Sequence, residues 1–365
     1  MAPIRVLYCI DRIVRGGTES QVVGLINRLD RGRFAPYLCT LRPSESFLDE
    51  ADCPHLELDV RRIFSTSGMA RIGRLSRYLR RERIQIMQTF FQDATVVGIA
   101  AARLAGVPVR LITFRDLGFW RTLRQEFLMR RVYPMATGFL ANSQAVMEHV
   151  CAHDGLSPSR VKVIYNGIDL ERFRYAEHPE QEAAIGLIGN LDRPVKRADL
   201  FLHTAARVAQ RHPHATWHLI GDGHLRAHYE ALAADLGLGE SVVFTGRIAD
   251  VPGYLRKLAI GVSCSDSEGF SNAVLEYMLS GCAVIATAVG GNPELVQDGR
   301  TGLLVPAGDG EALEDALDRL LGDARARQTL AEQARAMAQR DFGWERCVAD
   351  HENHYRSLLP GAGAA

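Results

Sequence analysis

The chain has 365 residues, enough for about two domains on a rough rule of ~150 residues each, and its 47% apolar content gives each a sizeable core. Its 43 basic and 43 acidic side chains cancel, but residues 1–175 hold 26 Arg and Lys against 17 Asp and Glu, a net of +9, and the remainder carries −9. A chain basic throughout is therefore excluded; the basic first half either faces an anionic partner such as a membrane surface or phosphorylated lipid, or simply carries solvated Arg-rich helices.

Seven cysteines without a C-x-x-C pair or zinc-like spacing argue against a disulfide scaffold and fit a reducing cytosol. No run approaches the ~20 apolar residues of a membrane span, and the first apolar run is too short for a signal peptide. The expected location is cytoplasmic, with any membrane contact peripheral on its inner face.

In chain order, residues 4–10 form a buried strand, followed by Gly16-Gly17-Thr18-Glu19 and a helix over 22–29. Thr18 and Gln21 have capping-box spacing. The two glycines either permit close backbone approach to a ligand or serve an ordinary strand–helix turn. Strands follow at 37–41 and 84–88, with a helix over 72–83 between them. Arg74, Arg77 and Arg81 share one of its faces, either a docking face for lipid or acceptor or an ordinary solvated one. A small-residue helix over 94–105 leads to a strand at 109–113. Arg115 and Asp116 sit at its carboxyl end, where open α/β sheets collect ligands; a local ion pair is the alternative. Strands at 138–142 and 161–165 close this half, and the polar stretch 171–183 reads as a linker.

A second alternating series begins with a strand at 184–188, then Asn190, Arg193 and Lys196, and a helix over 199–210. A strand at 216–220 ends in Gly221-Asp222-Gly223, a helix spans 225–236, and a strand at 241–244 precedes Ile248. The central unit of this half runs from a strand at 259–264 to another at 283–286. Ser271 or Asn272 caps the helix between them, which stops at Gly281. Glu268 lies in the loop before that helix and Glu276 about one turn into it. A helix start attracts phosphate, and two acids beside it suit hydroxyls on either side, the pattern of a sugar nucleotide. Arg193 and Lys196 suit a diphosphate or form a solvated pair. Asp266 with Glu268 makes a poor metal site, because no third ligand is visible. A strand at 303–305, helices over 311–340 and an amphipathic helix over 342–359 complete the chain. Strand–helix alternation in both halves means two parallel sheets covered by helices.

The stretch Glu268-Gly-Phe-Ser-Asn-Ala-Val-Leu-Glu276 resembles the E-x7-E signature of retaining GT-B glycosyltransferases of family four. Gly16-Gly17-Thr18-Glu19, Asn166-Gly167-Ile168-Asp169, Arg193-Pro-Val-Lys196, Val289-Gly-Gly-Asn-Pro-Glu294 and Phe342-Gly-Trp344 resemble further motifs of that family, in its order, over almost the whole chain.

The resemblance implies two Rossmann-like domains facing each other across a cleft. The acceptor-side domain would span 1–170, the linker 171–183, the nucleotide-sugar domain 184–341, and a terminal helix with tail, 342–365, would pack back on the first domain. It implies that Arg193 and Lys196 hold the donor pyrophosphate, supported by amides around Gly269, Phe270, Ser271 and Asn272, with Asn190 and Gly221 in adjoining loops. Glu276 would take the ribose hydroxyls, Glu268 those of the transferred sugar, and Ile248 would lie against the base. Gly16 and Gly17 would let the first domain close on the phosphates.

Transfer would proceed with retention, without a metal or other cofactor, from a UDP- or GDP-sugar to a polysaccharide, glycolipid or lipid-linked acceptor of the cell envelope; no nucleic-acid partner is expected. A front-face reaction follows, in which the leaving phosphate helps deprotonate the acceptor. Many family members carry His-Asp where this chain has Arg115 and Asp116. Arg stays protonated at neutral pH, so Arg115 is expected to bind a phosphate of donor or acceptor, with Asp116 on the acceptor side. Asp192 stands as an insertion before Arg193 and blurs which residue is the family's Arg. A non-catalytic nucleotide-sugar-binding subunit and a sugar-nucleotide epimerase or hydrolase remain as alternatives.

Overall fold

The computed structural model describes residues 2–118, 120–173 and 184–359. Most of the expected linker, residues 174–183, and the tail 360–365 lie outside them. The chain divides into two compact units, Met1–Gly167 with Trp344–Ala365, and Ile168–Gly343.

In the first unit the elements alternate as β1 (Ile4–Ile10), α1 (Gly17–Arg28), β2 (Phe34–Thr40), β3 (His55–Glu57), α2 (Thr66–Arg81), β4 (Ile86–Phe90), α3 (Gln92–Ala105), β5 (Val109–Phe114), α4 (Leu123–Val132), β6 (Gly138–Ala141), α5 (Gln144–Asp154) and β7 (Val161–Val163). The strands pair in the order β3-β2-β1-β4-β5-β6-β7, all parallel. A parallel sheet needs a crossover between neighbours, and the amphipathic helices supply it while covering both faces.

The second unit repeats the plan with β8 (Ala184–Ile188), α6 (Ala198–Val208), β9 (Thr216–Ile220), α7 (Arg226–Asp235), β10 (Val242–Gly246), α8 (Val251–Leu255), β11 (Ile260–Ser263), α9 (Asn272–Ser280), β12 (Ala283–Thr287), α10 (Asn292–Leu295), β13 (Leu303–Val305), α11 (Gly310–Gly322) and α12 (Ala324–Asp341). Its sheet order is β10-β9-β8-β11-β12-β13, again parallel. The last helix, α13 (Trp344–Ser357), belongs to the first unit. There Trp344, Cys347 and Tyr355 join the core beneath β1, and the Tyr355 and Tyr8 hydroxyls lie 3.1 Å apart.

Several local expectations fail for identifiable reasons. Thr18 and Gln21 do not form a capping box: α1 starts earlier, at Gly17, without a side-chain cap. The Gln21 side chain instead donates to Gly167 O at 2.8 Å and accepts from Gly167 N at 3.0 Å. A capping box does occur at Thr122 and Gln125, opening the unanticipated helix α4. The Arg-rich helix expected from 72 begins at Thr66, because Ser65 caps it by accepting from Gly68 N at 3.0 Å. Strand β3 is three residues long and pairs only with β2, too short to show a period.

Candidate functional site

Both sheets reverse their strand order at an internal switch point, between β1 and β4 and between β8 and β11. Loops leaving the carboxyl ends of strands at such a point form a ligand crevice. In the second unit those loops are the two that carry Lys196 and Glu268.

They are tied together at the backbone, with Asp266 N donating to Val195 O at 2.9 Å. Lys196 Nζ donates to Glu268 Oε1 at 2.6 Å, and Ser265 Oγ donates to the same oxygen at 2.7 Å. The Glu268 side chain is only 10% exposed, so its charge is held by these two partners. Arg197, unremarked in the sequence, adopts the left-handed conformation at φ 53°. Ion pairs to Asp199 at 3.1 Å and Asp266 at 3.0 Å hold it there, so Asp266 is engaged by a cation. Among the described residues no group of three His, Cys, Asp or Glu is placed to hold a metal.

Arg193 is not brought to this cluster. It is exposed, and among the described residues its guanidinium makes no hydrogen bond or ion pair. Asn190 is also exposed and accepts from Asp192 N at 2.8 Å. Gly221, at φ 134°, is needed for packing between loops: a Cβ there would lie 1.9 Å from Gly189 O. Ile248 is half-buried in the loop after β10.

The helix α9 rises from the Glu268 loop. Ser271, not Asn272, is its cap, accepting from Val274 N at 3.4 Å, and Gly281 ends it in the left-handed conformation at φ 88°. Gly269 O accepts from Gly291 N at 3.1 Å, and Phe270 is buried with its ring 5.4 Å from that of Phe342. Tyr277 locks α9 onto the sheet. Its hydroxyl donates to Gly186 O at 3.1 Å and accepts from Ile188 N at 2.7 Å.

One residue earlier, Glu276 is half-buried and forms no hydrogen bond or ion pair among the described residues. Desolvation raises its carboxyl to about 7, opposed in part by the charge of Arg172. An unpaired carboxyl of this kind is costly to the fold and marks a candidate ligand contact.

A glycine outside the expected set supports Glu268. At Gly290, φ 50°, a Cβ would lie 1.7 Å from Glu268 O. Gly290→Ala should therefore displace the Glu268 loop, costing ~1–3 kcal/mol of stability and at least tenfold in turnover, as read by denaturant unfolding and steady-state kinetics. Wild-type values in both would show that this approach is unimportant.

In the first unit, Gly16 caps the start of α1, and a Cβ on it would lie 2.5 Å from the Glu19 carboxylate. Gly17 is the helix's first residue. Arg115 and Asp116 follow β5 but are not an ion pair. The Asp116 carboxylate accepts from Gly118 N at 2.8 Å and from Trp120 Nε1 at 3.0 Å. Arg115 is half-buried, with its Nε enclosed and lacking a hydrogen-bond partner among the described residues. Desolvation lowers its guanidinium to about 10, resisted in part by nearby Cys347, Glu19 and Asp116. It stays protonated at neutral pH, a cation without a bonded counter-ion among the described residues.

Residues 15–172 match the model described as Glycosyltransferase Family 4, and residues 182–323 match that of Glycosyl transferases group 1. The chain is 28% identical over 296 residues to a lipopolysaccharide core biosynthesis mannosyltransferase, LpcC, of Rhizobium leguminosarum bv. viciae, covering 76% of this chain and 80% of that one. It is 32% identical over 237 residues to a D-inositol 3-phosphate glycosyltransferase of Kribbella flavida, covering 59% of this chain but only 55% of the relative. Among solved structures, Anabaena Alr3699/HepE in complex with UDP shares the fold with a TM-score of 0.85 at 21% identity, over 97% of this chain and 100% of that one.

Proposed function

Because the chain belongs to the group 1 glycosyl transferases of family four, we propose that it moves a sugar, with retention, from a nucleotide-sugar donor to a glycan or lipid-linked acceptor of the cell envelope. The observation that carries this reading is the loop cluster at the second unit's switch point: Lys196 paired to Glu268 at 2.6 Å, with Glu276, unpaired among the described residues, on the helix that follows. A UDP complex of the Anabaena protein supports a UDP-sugar donor. The Rhizobium relative, a lipopolysaccharide core mannosyltransferase, supports the acceptor class.

On binding, the diphosphate draws the Lys196 ammonium from Glu268. The freed carboxylate accepts hydrogen bonds from the transferred sugar. Glu276 accepts from the ribose diol, Ile248 lies against the base, and the α9 start faces the phosphates. Asn190, Gly221, Gly269, Phe270, Ser271 and Asn272 shape that crevice, with Arg193 as an outer cation. Arg115 takes a phosphate, while Asp116 fixes the turn on the acceptor side. The anomeric C–O bond to the diphosphate breaks, and the acceptor oxygen bonds to the same face of that carbon. The acceptor proton passes to the departing diphosphate oxygen, with Lys196 stabilising the charge. No metal takes part.

The test is nucleoside diphosphate release from a panel of UDP- and GDP-sugars, with and without lipid-linked acceptor, with EDTA throughout, and product configuration read by NMR. Glu268→Gln should lower turnover at least 100-fold while nucleotide Kd changes less than about threefold, since its hydroxyl contacts strengthen at the transition state. Release from no donor, or an inverted product, would overturn the reading.

A further inference from the structure

Among the described residues six large apolar side chains stand exposed, and four of them belong to α2, α4 and the segment leading into α2: Phe64 at 75%, Met69 at 59%, Leu123 at 83% and Phe127 at 61%. In a parallel sheet every crossover helix begins at the strands' carboxyl ends, so the first turns of α2 and α4 share one rim of the first unit. Ile63 packs against both the core beneath α2 and the core beneath α4, so the segment that carries its neighbour Phe64 bridges the two along that rim. Leu123 and Phe127 are four residues apart and share a face of α4.

Charge surrounds these side chains with one sign. Residues 61–83 and 121–131 together hold twelve Arg against only two acids, Glu82 and Glu126. Arg61, Arg62, Arg74, Arg124, Arg130 and Arg131 are exposed, and the Arg131 guanidinium lies 4.6 Å from the centre of the Phe127 ring. Apolar tips interleaved with arginines match the interfacial zone of a bilayer, where rings and aliphatic chains enter the acyl boundary and guanidinium groups meet anionic headgroups. A second copy of this chain is a poor occupant, since a two-fold contact would set arginine against arginine.

We propose that the rim formed by Phe64, Met69, Leu123 and Phe127 with its arginines is a docking surface for an anionic phospholipid bilayer. The full chain should sediment with vesicles containing phosphatidylglycerol and not with pure phosphatidylcholine, and raised salt should release it. Phe64→Ser with Leu123→Ser and Phe127→Ser should weaken binding at least tenfold. Arg62→Glu with Arg124→Glu should do the same, both with unchanged melting temperature and unchanged UDP-induced thermal shift. Equal sedimentation with both vesicle types, wild-type binding by the triple serine variant, or a solution dimer that this variant dissociates would each overturn the proposal. Donor cleavage in the absence of vesicles reports on the transferase reading separately.

Discussion

Lys196→Met should lower kcat/KM by about 10²–10³-fold, the scale of removing one group that stabilises developing negative charge. Among the described residues the ammonium is the cation paired to the Glu268 carboxylate, and the proposed chemistry transfers it to the leaving diphosphate. The same change leaves a carboxylate of 10% side-chain exposure with, among the described residues, only the Ser265 hydroxyl as partner. Because the lysine is itself 28% exposed, the stability loss should be on the order of 1–3 kcal/mol, below that of a fully buried pair. Combining Lys196→Met with Glu268→Gln separates the two effects. The double variant should regain most of the stability, since the orphaned charge is gone, and none of the activity. A Lys196→Met enzyme with lowered melting temperature but turnover within fivefold of wild type would make the pair purely structural.

Glu276→Gln should act in opposite directions on stability and on nucleotide binding. Burial pushes the folded carboxyl from its ordinary 4.5 up to about 7. Below pH 4.5 both folded and unfolded chains hold the proton, and the group costs nothing. Between 4.5 and 7 the unfolded chain ionises first, so stability falls as pH rises, and the full penalty applies above 7. The amide has no charge to desolvate, so Gln should stabilise the apo-protein by ~2–3 kcal/mol at pH 8 and by little at pH 4.

Nucleotide binding should move the other way. Only the ionised carboxylate can accept from both ribose hydroxyls, and losing charge-assisted bonds to it should weaken UDP about 30- to 100-fold at pH 8. The ratio of wild-type to variant affinity should rise about tenfold from pH 6 to pH 8, as Glu276 loses its proton. Calorimetric titration at both pH values measures it; equal pH dependence in the two proteins would remove Glu276 from the ribose site.

Much of the architecture was legible because it repeats. Apolar strands at 184–188, 216–220 and 303–305 stand at their expected bounds as β8, β9 and β13, since a fully buried parallel strand reads as an apolar run between turn residues. The helix carrying Glu276 was legible from its cap and its glycine stop. Where expectation failed, a distant contact had overridden a local signal. Gln21 had the spacing of a capping residue, but Gly167, 146 positions away, takes its side chain. The exposed face of α4 blurs the apolar stripe by which a helix is recognised, because Leu123 and Phe127 point away from the core.

By itself, then, the sequence determined two strand–helix series and the eight-residue spacing of Glu268 and Glu276, because these depend on local period, capping and turn chemistry. It separated their roles only through the family resemblance and said nothing of their pairing or charge. Only the tertiary structure decided that Glu268 is ion-paired to Lys196, 72 positions away, that Arg197 rather than Arg193 takes the neighbouring acids, and that Glu276 is hard to ionise and unpaired among the described residues. Charge state and pairing depend on which groups folding desolvates and which it brings within a few ångströms, and spacing along the chain specifies neither.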